Sequence, residues 1–128
     1  MIYLDAVVCI YAVESTSERG MRVRDVLRDC DEPLCVSPLV QMECLIKPFQ
    51  DADLALEDQY RKFLGGMTML EITPAVYERA ARIRAATKIK TPDALHLATA
   101  MECGCDALWT ADSDFAKRAG GIVVDVTG

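Results

Sequence analysis

The chain has 128 residues, 52% of them hydrophobic, six cysteines and a formal net charge of −6. That length and apolar content suit one domain with a real core over residues 1–128, and exclude a disordered or low-complexity chain. The acidic balance argues against a non-specific nucleic-acid binder, which is normally basic, and no apolar run approaches the roughly 18 residues of a membrane span.

The chain opens with Ile2-Tyr3-Leu4, a short apolar run that reads as a buried strand, and Asp5 stands at its end. No basic residue precedes Asp5, so the start does not read as a secretory signal. Val7 to Glu14 reads as a helix with Val7, Ile10 and Tyr11 on one face. A polar break over Thr16–Gly20 leads to a helix over Glu18–Cys30, which Pro33 ends. Leu34-Cys35-Val36 is a second strand, and Ser37-Pro38 opens a helix with serine as cap and proline in its first turn. That helix carries Leu39, Val40, Met42, Glu43 and Ile46, and Pro48 stops or kinks it.

Ala52–Leu64 reads as a further helix resting on Leu54, Leu56, Tyr60, Phe63 and Leu64, closed by Gly65-Gly66. Alternation over Met67–Ile72 predicts a third strand, and Pro74–Thr87 a helix. Thr91-Pro92 is expected to cap the next helix, whose alanine- and leucine-rich body over Asp93–Cys103 should be buried on several sides. A fourth strand within Asp106–Thr110, a short helix over Asp112–Arg118 and a fifth strand at Ile122–Val124 complete the chain. Short apolar strands separated by helices predict a three-layer α/β/α domain around a mainly parallel five-stranded sheet.

Cys9, Cys35 and Cys44 lie in apolar segments, and Cys103 and Cys105 have no matching pair elsewhere. Free thiols and a reducing, cytoplasmic location fit this pattern better than disulfides. No glycine-rich phosphate loop follows any strand, so no nucleotide cofactor is expected.

Four acids stand near element ends. Asp5 ends the first strand, Glu43 lies within the helix after the second, Asp93 opens the buried helix, and Asp112 follows the fourth strand. In open α/β sheets, ligands bind outside the carboxyl ends of the strands. Clustered carboxylates repel unless something neutralises them, and hard oxygen donors suit Mg²⁺ or Mn²⁺. Such ions activate water against phosphodiesters. Each acid also has a plainer role. Asp5 and Asp112 can cap helices, Asp93 can sit behind a site, and Glu43 can pair with an arginine such as Arg82.

The chain resembles the PIN-domain family, and within it the VapC-type toxins of toxin–antitoxin pairs. The likeness rests on Ile2-Tyr3-Leu4-Asp5, on Val36-Ser37-Pro38-Leu39-Val40 leading to Glu43, on Thr91-Pro92-Asp93-Ala94-Leu95-His96-Leu97-Ala98-Thr99-Ala100, and on Trp109-Thr110-Ala111-Asp112-Ser113-Asp114-Phe115. The family consists largely of metal-dependent ribonucleases. The resemblance therefore implies metal-holding roles for Asp5, Glu43, Asp93 and Asp112, with Thr110 and Asp114 in support. It also implies RNA as substrate, a VapB-like antitoxin partner and a homodimer. The family usually places a polar side chain two residues after its first aspartate; here the positions are Ala6 and Val7. Neither can orient Asp5 by hydrogen bonding.

His96 shares a helix side with Asp93 and reads as a packed or hydrogen-bonded residue in preference to a general base. Arg79, Arg82, Arg84, Lys88 and Lys90 precede Asp93 with only Glu78 against them. Lys88 and Lys90, then Arg82, are the candidates for contacting RNA phosphates. The expected activity is an endoribonuclease toxin using metal-activated water and leaving 5′-phosphate and 3′-hydroxyl ends. The alternative is a weakly active or non-catalytic RNA-binding or protein-interaction module. A phosphoacceptor signalling domain fits poorly, because no aspartate follows the third strand and no lysine follows Val124.

Overall fold

The computed structural model describes residues 1–128. Five strands form one sheet: β1 (Ile2–Leu4), β2 (Leu34–Val36), β3 (Thr68–Met69), β4 (Ala107–Thr110) and β5 (Val123–Asp125). Their spatial order is β3-β2-β1-β4-β5, and every pairing is parallel. Between them run α1 (Ala6–Glu14), α2 (Glu18–Arg28), α3 (Pro38–Gln50), α4 (Leu54–Gly65), α5 (Pro74–Ala86), α6 (Thr91–Glu102) and α7 (Ser113–Ala119). This is the expected three-layer α/β/α fold with a parallel five-stranded sheet.

The strand order decides where a site can lie. The chain builds outward from β1 through β2 to β3, then returns to the other side of β1 for β4. The order in which strands are added therefore reverses at the β1–β4 boundary, while the strands stay parallel. At such a switch point the loops leave on opposite sides and open a crevice at the carboxyl ends of the strands. The register Leu4↔Trp109 sets Asp5 beside Thr110 there. The Asp5 N–H donates to the Trp109 carbonyl at 3.2 Å and ties the two strand ends together.

The strands are buried because both faces are covered. Tyr3, Leu4, Cys35, Val36 and Leu108 are wholly enclosed. The helices α1 to α4 pack on one another, α5 packs along α6, and α7 packs on β4 and β5. The helix α6 is the buried one expected, with Ala94 and His96 to Ala100 all inside. All six cysteines are free thiols, though the Cys35 and Cys105 sulfurs are 3.6 Å apart. No helix is long and apolar enough to cross a membrane.

Several local expectations fail. In α1 the buried residues are Ala6, Val8 and Cys9, whereas Val7 and Ile10 are exposed. That helix is apolar on nearly every side, so hydrophobicity alone did not choose its face; small Ala6 and Cys9 permit close approach. Leu54, Met42 and Ile46 are also exposed. Pro48 sits inside α3, which runs on to Gln50. The cap of α6 is Lys90, with Thr91 and Pro92 already helical. The third strand shrinks to Thr68–Met69 because three-residue β2 offers only Cys35 and Val36 for pairing.

Candidate active site

The site grows from the ends of β1 and β4. Asp5 leaves β1 in an extended conformation and caps α1, its Oδ1 accepting from the Val8 N–H at 3.0 Å. It is only 2% exposed. Across from it, the Thr110 hydroxyl accepts from the Asp112 N–H at 3.0 Å. Asp112 in turn caps α7, its Oδ1 accepting from the N–H groups of Asp114 and Phe115 at 2.9 and 3.2 Å. The capping roles of Asp5 and Asp112 are thus real, and each occupies one carboxylate oxygen.

Asp93 lies half-buried in the first turn of α6, where free N–H groups and the helix dipole favour its charge. Glu43 reaches in from α3, and its Oε1 lies 2.6 Å from His96 Nε2. An Arg82 partner for Glu43 is ruled out by this geometry. Arg82 lies 3.7 Å from Glu78 instead, a helical turn away on its own helix. His96 is itself buried and bonded on both ring nitrogens, Nδ1 meeting the Tyr3 hydroxyl at 2.7 Å. It is thus the packed, hydrogen-bonded residue that its place three residues after Asp93 led us to expect.

The electrostatics connect the acids. Burial pushes the Asp5 carboxyl up to about 6, against the Thr110 side chain, the Val8 N–H and His96, which pull it down; the charge of Asp93 adds to the rise. Asp93 is also raised, chiefly by burial. His96 and Lys90 draw it down, while Asp112 and Glu43 push it up. All four acids therefore enter one field. As the side chains stand, no three His, Cys, Asp or Glu groups gather closely enough to hold an ion. Glu43 is drawn aside by His96, and Asp112 is turned to its cap. The donors nonetheless fit a hard divalent cation in kind and in charge: all four are carboxylates, and those of Asp5 and Asp93 are raised.

A cleft of about 190 Å³ opens over this edge, lined by Lys88, Lys90, Asp93, Asp112, Asp114 and Arg118. Acids and cations thus share one wall-to-wall space. Asp114 engages Arg118 at 2.8 Å. Arg82 lines a separate apolar groove with Ile83, Ile89 and Met101. The structure therefore brings Lys88 and Lys90 to the acids and leaves Arg82 off to one side.

Three residues near the site escaped the sequence reading. Arg118 lies one helical turn after Asp114, a spacing that could have marked it. Tyr3 lies in β1 two residues before Asp5, and Ser37 follows β2 as the N-cap of α3.

The family described as PIN domain matches residues 2–121. No curated protein matches the chain in sequence. Among solved structures, one similar chain belongs to a toxin–antitoxin complex from Klebsiella pneumoniae, with 23% identity, 98% of each chain covered and a TM-score of 0.80. Another is VapC20 from Mycobacterium tuberculosis, described as a sarcin–ricin loop cleaving toxin, at 15% identity, 98% of each chain and 0.80. A third is VapBC-1 from nontypeable Haemophilus influenzae, at 16% identity, full coverage of both chains (100% each) and 0.78.

Proposed function

The chain belongs to the PIN-domain family, and on that premise we propose that it is a Mg²⁺- or Mn²⁺-dependent endoribonuclease of the VapC toxin kind. What supports this reading is that Asp93 shares a cleft with Asp112 and feels its charge and that of Glu43, while Asp5, at the switch point between β1 and β4, feels the charge of Asp93. Asp5, Asp93, Asp112 and Glu43 would hold the ion. When bound, it would activate water and offset phosphate charge.

The chain's own residues prepare the site. The Thr110 hydroxyl takes the Asp112 N–H and fixes the turn that presents Asp112. The Val8 N–H orients Asp5. Lys88 and Lys90 draw the RNA backbone into the cleft and set it over the acids, and Arg82, in the neighbouring groove, is the weaker candidate for a phosphate contact. Asp114 holds Arg118 at the mouth. The protein would work in the cytoplasm, as a single domain over residues 1–128. Toxin–antitoxin complexes recur among the similar structures, and this supports a VapB-like antitoxin that blocks the site. A homodimer is proposed on the same resemblance.

A second reading has its own support. Ala6 and Val7 have no polar side chain to orient Asp5, and Glu43 is held by His96 rather than among the aspartates. A weakly active or non-catalytic RNA-binding module would look like this. One experiment separates the two. A broad RNA pool is incubated with Mg²⁺ or Mn²⁺, with and without chelator, using the native chain and Asp93→Asn. The toxin reading expects metal-dependent cuts with 5′-phosphate ends from the native chain alone. Equal cleavage by both chains, or cleavage in chelator, overturns it. RNA binding without cleavage by either chain favours the second reading.

A further inference from the structure

Beneath the acids runs a buried chain of hydrogen bonds that spans three elements. The Ser37 Oγ and the Tyr3 hydroxyl are 2.8 Å apart, the Tyr3 hydroxyl and His96 Nδ1 are 2.7 Å apart, and His96 Nε2 and Glu43 Oε1 are 2.6 Å apart. Ser37, Tyr3 and His96 are all shut off from solvent, and only Glu43 reaches the surface, its side chain 28% exposed. We propose that His96 is a positioning residue for Glu43, set by Tyr3 and Ser37, and that this chain decides how Glu43 is offered to a divalent cation. The inference rests on the metal-dependent reading above.

The direction of the chain follows from its members. An ionised Glu43 can only accept, so His96 Nε2 must carry the hydrogen. In the neutral ring this leaves Nδ1 as an acceptor, and the Tyr3 hydroxyl donates to it. The Tyr3 oxygen then accepts from the Ser37 hydroxyl. No buried side-chain polar atom is left without a partner. With Glu43 ionised and the ring neutral, one arrangement satisfies every group, and it delivers a single N–H to Glu43.

Ser37 shows that the arrangement is not incidental. It stands at the N-cap of α3, where a serine ordinarily accepts an N–H of the first turn. Its side chain makes no such bond, forgoing a contact worth about 1 kcal/mol at a typical cap. The hydroxyl turns inward to Tyr3 instead. A residue that breaks its local rule has a partner elsewhere that matters more. The placement of the chain agrees. Tyr3 lies two residues before Asp5 on β1, His96 three residues after Asp93 on α6, and Ser37 begins the helix that carries Glu43. The chain therefore fixes the three elements that bear those acids relative to one another. Partners behind metal ligands commonly change affinity by roughly 10- to 100-fold.

The test uses the full chain and Mn²⁺ alone, with affinity read by calorimetry and folding by circular dichroism. His96→Ala is expected to bind Mn²⁺ roughly 10- to 100-fold more weakly. His96→Gln, whose amide N–H can reach Glu43, should recover most of the loss. Tyr3→Phe, which keeps the ring and removes the donor, should weaken binding by a smaller factor. In a Glu43→Ala background, His96→Ala should make no further difference. Nitrogen NMR of the metal-free chain should find a hydrogen on His96 Nε2. A bare Nε2 overturns the proposal, as does native Mn²⁺ affinity in folded His96→Ala and Tyr3→Phe. An equal loss from the His96 change with and without Glu43 also overturns it. If the native chain binds no Mn²⁺ while Nε2 carries its hydrogen, the metal-dependent reading fails and the cation role of the chain falls with it.

Discussion

Replacing Asp5 with asparagine should make the metal-free protein more stable at neutral pH. Asp5 is 2% exposed, and burial pushes its carboxyl up from the ordinary 3.8 to about 6. A folded-state pKa above the unfolded value means the fold disfavours the charged form. The penalty is complete above pH 6 and disappears as pH falls through 6 towards the unfolded value near 4. At 1.36 kcal/mol per pKa unit, it amounts to about 3 kcal/mol at pH 7.5. Asparagine removes the charge and keeps an oxygen able to accept from Val8 N–H, so the cap of α1 survives. In a chain of this size that gain should raise Tm by roughly 10 °C. The assay is thermal and urea unfolding of both chains in chelator, at pH 7.5 and pH 4. The gain should be nearly full at the higher pH and mostly gone at the lower. Added Mn²⁺ should reverse the order at pH 7.5 by stabilising the native chain alone. An Asp5→Asn chain no more stable than the native one at pH 7.5, or an equal gain at both pH values, refutes the claim that Asp5 is held charged against its surroundings.

Other outcomes follow from the same geometry. Lys88→Ala with Lys90→Ala should raise KM for RNA and flatten its salt dependence with little change in kcat, because both side chains line the cleft over Asp93 and Asp112. Steady-state cleavage over a range of salt checks this, and Arg82→Ala, in the neighbouring groove, should have the smaller effect. Gly20→Ala should destabilise the fold by about 1–3 kcal/mol, as overpacking does. A Cβ there would meet the Ser15 side chain at 2.6 Å and its carbonyl oxygen at 2.7 Å. Urea unfolding should show a lower midpoint with an unchanged slope.

Much of the framework was legible in the sequence because strands and helices announce themselves by different periods. Ile2–Leu4 and Leu34–Val36 fall where expected, and the acid after the first strand meets the fourth strand's end as the sheet rule requires. The failures depend on neighbours distant in sequence, which no local pattern names. In α1, Val7 and Ile10 are as hydrophobic as Val8, and only packing against α2, α3 and α4 separates them. Alternation over Met67–Ile72 describes a strand, but its length was set by its short neighbour β2. The partner of Glu43 was hidden for the same reason. His96 is 53 residues away in sequence, and nothing local says which buried donor faces α3. Ser37 was read as a cap because position favours it; the competing Tyr3 hydroxyl comes from a strand 34 residues earlier.

The most direct measurement is anomalous diffraction from crystals of the native chain grown with Mn²⁺. The account predicts one or more peaks at the carboxyl edge between β1 and β4, with oxygens of Asp5 and Asp93 within about 2.0–2.3 Å and Glu43 or Asp112 turned towards the same ion. Fully occupied Mn²⁺ elsewhere on the molecule, with Asp5 and Asp93 still bare, would contradict it.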